Sequence, residues 1–136
     1  MSYLLDTNIC IYIINKNPLH VLEKFHQHRM GDIAISSVTA AELAFGVEKN
    51  GSVRNRQILE KFFAPLEVLP FDAECIWHYA KVRNQLQQQG QVIGALDMMI
   101  AAHALAINAT LVTNNTREFE RVVGLNLENW TLNSLT

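Results

Sequence analysis

Asp6, Glu42 and Asp97 each interrupt an otherwise apolar run: Tyr3-Leu4-Leu5-Asp6, Val38-Thr39-Ala40-Ala41-Glu42-Leu43-Ala44-Phe45 and Ala95-Leu96-Asp97-Met98-Met99-Ile100. A carboxylate is costly to bury without a partner, and no Lys or Arg stands within four residues of any of the three. A fold that brings them together needs a cation to offset their repulsion. Hard oxygen ligands suit Mg²⁺ or Mn²⁺, and a metal held there can activate water and stabilise in-line displacement at phosphorus. Without metal, such a cluster should titrate as a coupled unit, with at least one carboxyl pKa raised.

Each acid also has a purely structural role open to it. Asp6 after a short strand is a natural helix N-cap. Glu42 can be an exposed helix residue, although Val38, Phe45 and Gly46 at helical spacing place it on an inward or marginal face. Asp97 can be a favourable charge in a first helical turn. Other chemistries find less support. His20, His26, His28, His78 and His103 show no metalloprotease spacing, and His103 in an apolar helix reads as core. Ser36 and Ser37 lack a nucleophile elbow, and no Walker A or dinucleotide-binding motif is present. Asn115 with Glu118 three residues on reads as a capping pair.

The elements that must position these residues alternate. Short apolar strands are predicted at residues 3–5, 33–35, 66–69 and 110–113, with a fifth, edge strand over 126–132. Helical patterns cover Ile9–Ile14, the stretch with Leu19, Leu22 and Phe25, and then about 38–48, 53–63, 72–89 and 96–107, with a short helix to about Val123. In the helix over 72–89, Trp77, Ala80, Val82 and Leu86 are expected to face inward. Helix 96–107 is almost wholly apolar and should be central. The alternation predicts an α/β/α sandwich with a central, mainly parallel sheet. Ligands in such sheets bind beyond the carboxyl ends of the strands, where Asp6 and Asn114-Asn115 fall.

At 136 residues, 49 % of them apolar, the chain reads as a single folded domain over 1–136. A net charge of −2 argues against a broadly basic DNA coat. Lys49, Arg54, Arg56 and Lys61 form a local basic group, read first as a solvated helix face. Cys10 and Cys75 sit in no metal spacing and read as buried reduced thiols, which suits the cytoplasm. No signal-peptide pattern is seen, and the apolar stretch from Ile93 to Ile107 is too short and interrupted to span a bilayer.

Four segments together resemble one family. Leu4-Leu5-Asp6-Thr7-Asn8, Ile35-Ser36-Ser37-Val38-Thr39-Ala40-Ala41-Glu42-Leu43, Gly94-Ala95-Leu96-Asp97 through Ala104, and Leu111-Val112-Thr113-Asn114-Asn115 with Phe119 are similar to PIN-domain ribonucleases, in particular the VapC toxins of bacterial toxin–antitoxin pairs. The resemblance implies a PIN-like fold and a Mg²⁺-dependent endoribonuclease, with Mn²⁺ as a substitute. It makes Asp6, Glu42 and Asp97 the metal-binding acids, and Thr7, Asn8 and Thr113 residues that line the site. Many members carry a fourth acid where Asn115 stands, so that corner falls to Asn115 or to Glu120.

The resemblance also implies a VapB antitoxin as partner, with operator DNA bound only through it, and a toxin homodimer. The apolar Ile9–Ile14 stretch and Phe62-Phe63 are candidates for the antitoxin groove. The enterobacterial type of the family implies initiator tRNA, cut in its anticodon loop, as substrate. The alternatives are a non-catalytic RNA- or protein-binding module of the same fold, and a phosphatase-like enzyme with Asp6 as nucleophile. The second lacks an acid at position 8, which is Asn8.

Overall fold

The computed structural model describes residues 2–132. β1 (Tyr3–Leu5) is followed at once by α1 (Thr7–Asn15), and then by α2 (Leu19–His26). β2 (Ile33–Ser36) leads directly into α3 (Ser37–Asn50), and α4 (Val53–Phe63) returns the chain to β3 (Glu67–Leu69). The long α5 (Ala73–Gln88) and the apolar α6 (Ala95–Ala106) precede β4 (Thr110–Val112), the one-turn α7 (Thr116–Phe119) and β5 (Leu127–Glu128).

The strands form one sheet in the order β3-β2-β1-β4-β5, and every pairing is parallel. Alternation along each strand builds a core on either face. Leu4, Ala34 and Leu111 pack against α5 and α6 through Val82, Leu86, Ile100 and Ala101. Leu5, Ile33, Ile35 and Val112 pack against α1, α2 and α4 through Ile9, Ile13, Phe25 and Leu59. Full burial of side chains such as Leu4, Leu5 and Leu111 stabilises the sandwich by roughly 1.5–3 kcal/mol each.

α3 belongs to both layers, giving Val38 to one core and Leu43 to the other. It therefore bridges the layers at the carboxyl end of β2. Ser36 caps its start, accepting a hydrogen bond from the Val38 N–H at 3.1 Å. Gly51 ends it with φ +69°, a left-handed conformation that glycine adopts without strain, and its N–H returns to the Val47 carbonyl.

Three expectations are corrected. Trp77 is 72 % exposed and Ala80 is exposed, because the buried face of α5 runs through Cys75, Val82 and Leu86. Trp77 lies two positions from Cys75, about 200° around the helix. β5 spans two residues rather than seven, and beyond it Trp130 turns into the core. The short helix stops at Phe119 instead of Val123. Among the described residues no helix is long and apolar enough to cross a membrane.

Candidate functional site

The sheet order places a topological switch at β1 and β4. The chain leaves β1 toward β2 on one side, and β4 pairs on the other. Ligand sites in parallel sheets form at such a point, beyond the strand ends. Leu5 is in register with Val112, so the next residues, Asp6 and Thr113, emerge side by side. The Asp6 N–H bonds the Val112 carbonyl at 3.0 Å and the Thr113 N–H bonds the Glu128 carbonyl at 3.0 Å.

Asp6 serves two roles. It caps α1 by accepting the Ile9 N–H at 3.0 Å on Oδ1. It is also only 5 % exposed. Burial pushes its carboxyl pKa up to about 6, and the charges of Asp97 and Glu42 add to the rise. Hydrogen bonds from the Thr113 side chain and the Ile9 amide pull the other way without cancelling it. The charges acting on Asp6 are carboxylates, with no Lys or Arg among them. The one ion pair found among the described residues, Arg56 to Glu60, is on the surface.

Glu42 is half-buried on α3, and Thr7, the residue after Asp6, donates a 2.7 Å hydrogen bond from Oγ1 to its Oε1. Asp97 sits in the first turn of α6, after Gly94. Burial raises its pKa first, and the charges of Glu118 and Glu42 raise it further. Asp6, Glu42 and Asp97 thus converge closely enough to feel one another. Asn8 is exposed on the first turn of α1.

Around the expected fourth corner, Asn115 and Glu120 stand differently. Glu120 is exposed just past α7, while the acid felt at Asp97 is Glu118. Asn115 holds Glu118 by donating from Nδ2 to Oε2 at 2.9 Å, so the pair meets side chain to side chain and the cap carries no side-chain-to-backbone bond. The Asn115 N–H in turn donates to Thr113 Oγ1 at 2.9 Å. A continuous chain of contacts runs from Asp6 through Thr113 and Asn115 to Glu118. In the sequence, Glu118 reads as the capping partner of Asn115. The i, i+3 spacing from Asn115 was the available signal.

The PIN domain family profile matches residues 3–125. Ribonuclease VapC2 of Rickettsia felis is 47 % identical over 137 residues, covering 96 % of this chain and 98 % of the relative. The chain belongs to the VapC ribonucleases of the PIN-domain family. A VapC of Shigella flexneri named as a tRNA(fMet)-specific endonuclease is 44 % identical over 131 residues, with 96 % of this chain and 98 % of that protein covered. The crystal structure of VapBC2 from Rickettsia felis, bound to a DNA fragment from their promoter, superposes with a TM-score of 0.88 at 46 % identity, over 96 % of this chain and 99 % of that one.

The donor set in this VapC-family chain suits a hard divalent cation: carboxylates and hydroxyls, with a raised pKa at the buried Asp6 carboxyl and, among the described residues, no Lys or Arg charge acting on it. Among the described residues, no three His, Cys, Asp or Glu side chains stand close enough to make a ready-made cage. A hard divalent cation that keeps several waters and takes only one or two carboxylates from the protein would suit that looser arrangement.

A pocket of about 330 Å³ opens beside Glu42 and Thr7 and is walled by Ile11, Ile14, Val47, Ile58 and Leu59. It takes in part of the Ile9–Ile14 stretch expected to form an antitoxin groove. Phe62 and Phe63 lie outside its lining, half-buried and packed against each other, with Phe62 also against Phe25.

Proposed function

We propose that this chain is the toxin of a toxin–antitoxin pair, a Mg²⁺-dependent endoribonuclease in which Mn²⁺ can substitute. The observation that carries this reading is the burial of Asp6 beside Asp97 and Glu42 at the switch point, with no Lys or Arg charge among the described residues to offset it. Asp6 and Asp97 are the direct ligands in this reading, and Glu118 supplies the fourth acid, held by Asn115. Glu42 either joins the metal or accepts the proton of the attacking water. Thr7 occupies its Oε1, which leaves Oε2 for that work. The metal, when bound, supplies positive charge against the negative charge that builds on the phosphate oxygens in the transition state.

The Thr113 hydroxyl donates to Asp6 and favours its charged, ligating form. The burial that raises Asp6 also keeps bulk water from the ligating oxygens. The most specific substrate supported is initiator tRNA, because a relative at 44 % identity is named for that cleavage. A VapB antitoxin is the expected partner, with operator DNA reached through it, since a close structural relative is a VapBC complex on promoter DNA. Its segment would enter the apolar pocket that ends at Glu42. The toxin works as a homodimer in the cytoplasm in this reading.

Mapping of 5′ ends in cellular RNA after brief expression tests the proposal, with Asp97→Ala as control. One dominant cut in the initiator tRNA anticodon loop, absent in the control, is expected. Full Mg²⁺-dependent cleavage by Asp6→Ala or Asp97→Ala would overturn the assignment of these acids. A chain that binds RNA without cutting any would support the non-catalytic alternative.

A further inference from the structure

Glu42 and Asp97 ride on different helices, and the seam between those helices is open beside Glu42. Val38, Ala41 and Phe45 of α3 face Leu96 and Met99 of α6 across a groove of about 540 Å³ that also reaches Glu42. Phe45 is 67 % exposed and Leu96 45 % exposed, so this stretch is not locked by interdigitated side chains. Close packing is what normally fixes the register of two helices.

At the other end of the seam stands a fully buried polar contact. Ser36 Oγ and His103 Nδ1 share a hydrogen bond at 2.7 Å, with Ser36 0 % and His103 1 % exposed. The same Ser36 oxygen accepts the Val38 N–H and so caps α3. Its neighbour Ser37 accepts the Phe71 N–H at 3.0 Å, and the Phe71 ring lies edge-on to His103 at 5.9 Å between centroids. Two adjacent serines therefore tie the start of α3 to α6 and to the segment entering α5.

The spacing on both helices is equal. Glu42 lies six residues after Ser36, and Asp97 lies six residues before His103. At 1.5 Å per residue, each acid is about 9 Å along its helix axis from the same bond. Ser36 meets His103 while Glu42 and Phe45 share the groove with Leu96 and Met99, so the two helices run in opposite senses along the seam, and the bond sets which residue of α3 stands opposite which residue of α6.

We propose that His103 is a positioning residue for the metal site: through Ser36 it fixes the register of α3 on α6, and so the separation of Glu42 from Asp97. The role rests on the metal-site reading above. A bond of this kind touches neither metal nor RNA. Its loss should spread the acids without altering the surface on which RNA docks.

The test uses the full chain with His103→Leu, His103→Asn and His103→Gln. Asn can place an amide where Nδ1 stands, whereas Gln places it near Nε2. For His103→Leu we expect Mn²⁺ binding weakened and kcat on RNA lowered by about tenfold or more, with KM for RNA unchanged within about twofold. His103→Asn should recover most of both losses, and His103→Gln should not.

Wild-type kcat and Mn²⁺ affinity in His103→Leu would overturn the positioning role alone. Should His103→Leu fail to fold, the Asn and Gln variants decide, and equal impairment in both overturns the role. A wild-type chain that binds no Mn²⁺ overturns the underlying metal-site reading and the positioning role with it.

Discussion

Thr7 Oγ1 donates to Glu42 Oε1 at 2.7 Å across 35 positions of sequence. The residue that follows one acid thus orients another, and links α1 to α3 at the carboxyl edge of the sheet. Replacing Thr7 with Val keeps the shape and removes the donor. The loss of one part-buried hydrogen bond should cost about 0.5–1.5 kcal/mol of stability, while kcat on RNA should fall roughly 10–100-fold, as for other groups that orient metal-site ligands. Thermal melts and steady-state cleavage of the same preparation check both. A variant with normal turnover would show that Glu42 needs no such support.

Asp6 makes the metal-free protein pH-sensitive in a defined direction. Its folded-state pKa of about 6 lies above the ordinary 3.8. The stability it contributes is full below about pH 4 and is lost as pH rises through 6. The two-unit difference corresponds to about 3 kcal/mol. Asp6→Asn keeps an oxygen for the Ile9 amide and removes the titration. In chelator, the variant should melt at or below the wild-type temperature at pH 4 and above it at pH 8. Parallel pH profiles for the two proteins would refute the assignment.

Metal and proton should compete at the same carboxyl. Mn²⁺ or Mg²⁺ binds the folded chain and must displace the Asp6 proton. Added metal should raise the melting temperature of the wild type at pH 7.5 and raise it much less at pH 5. Asp97→Asn should lose most of that shift at both pH values. EDTA should reverse it in the wild type and abolish RNA cleavage.

Glu118 and Glu120 separate the two versions of the fourth corner. Glu118→Gln should weaken metal binding and cleavage by about tenfold, while Glu120→Gln should leave both within about twofold. Asn115→Asp replaces the donor that holds Glu118 with a second carboxylate. It should release Glu118 but place an acid at the corner itself, so metal-dependent cleavage should stay within about tenfold of the wild type. Metal titrations of the three variants decide, and equal effects at 118 and 120 would return the corner to an open question.

The strands at Tyr3–Leu5, Ile33–Ser36 and Thr110–Val112, and the apolar helix over Ala95–Ala106, were legible in the sequence because hydrophobic period and end signals are local properties. Asp6, Glu42 and Asp97 stood out for the same reason, as single charges in apolar runs, and the order of four short segments was enough to point to the family. The sequence did not show which acid of Thr116–Glu120 faces Asp97. That depends on the phase of a one-turn helix and on a side-chain bond from Asn115. Nor did it show that Trp77 faces outward, since the buried face of α5 is chosen by what α6 offers. The bonds from Thr7 to Glu42 and between Ser36 and His103 join residues 35 and 67 positions apart. Local pattern determined the elements and the acids they carry; only the tertiary structure decided how those acids are held, because register between elements is set by contacts that no short stretch of chain contains.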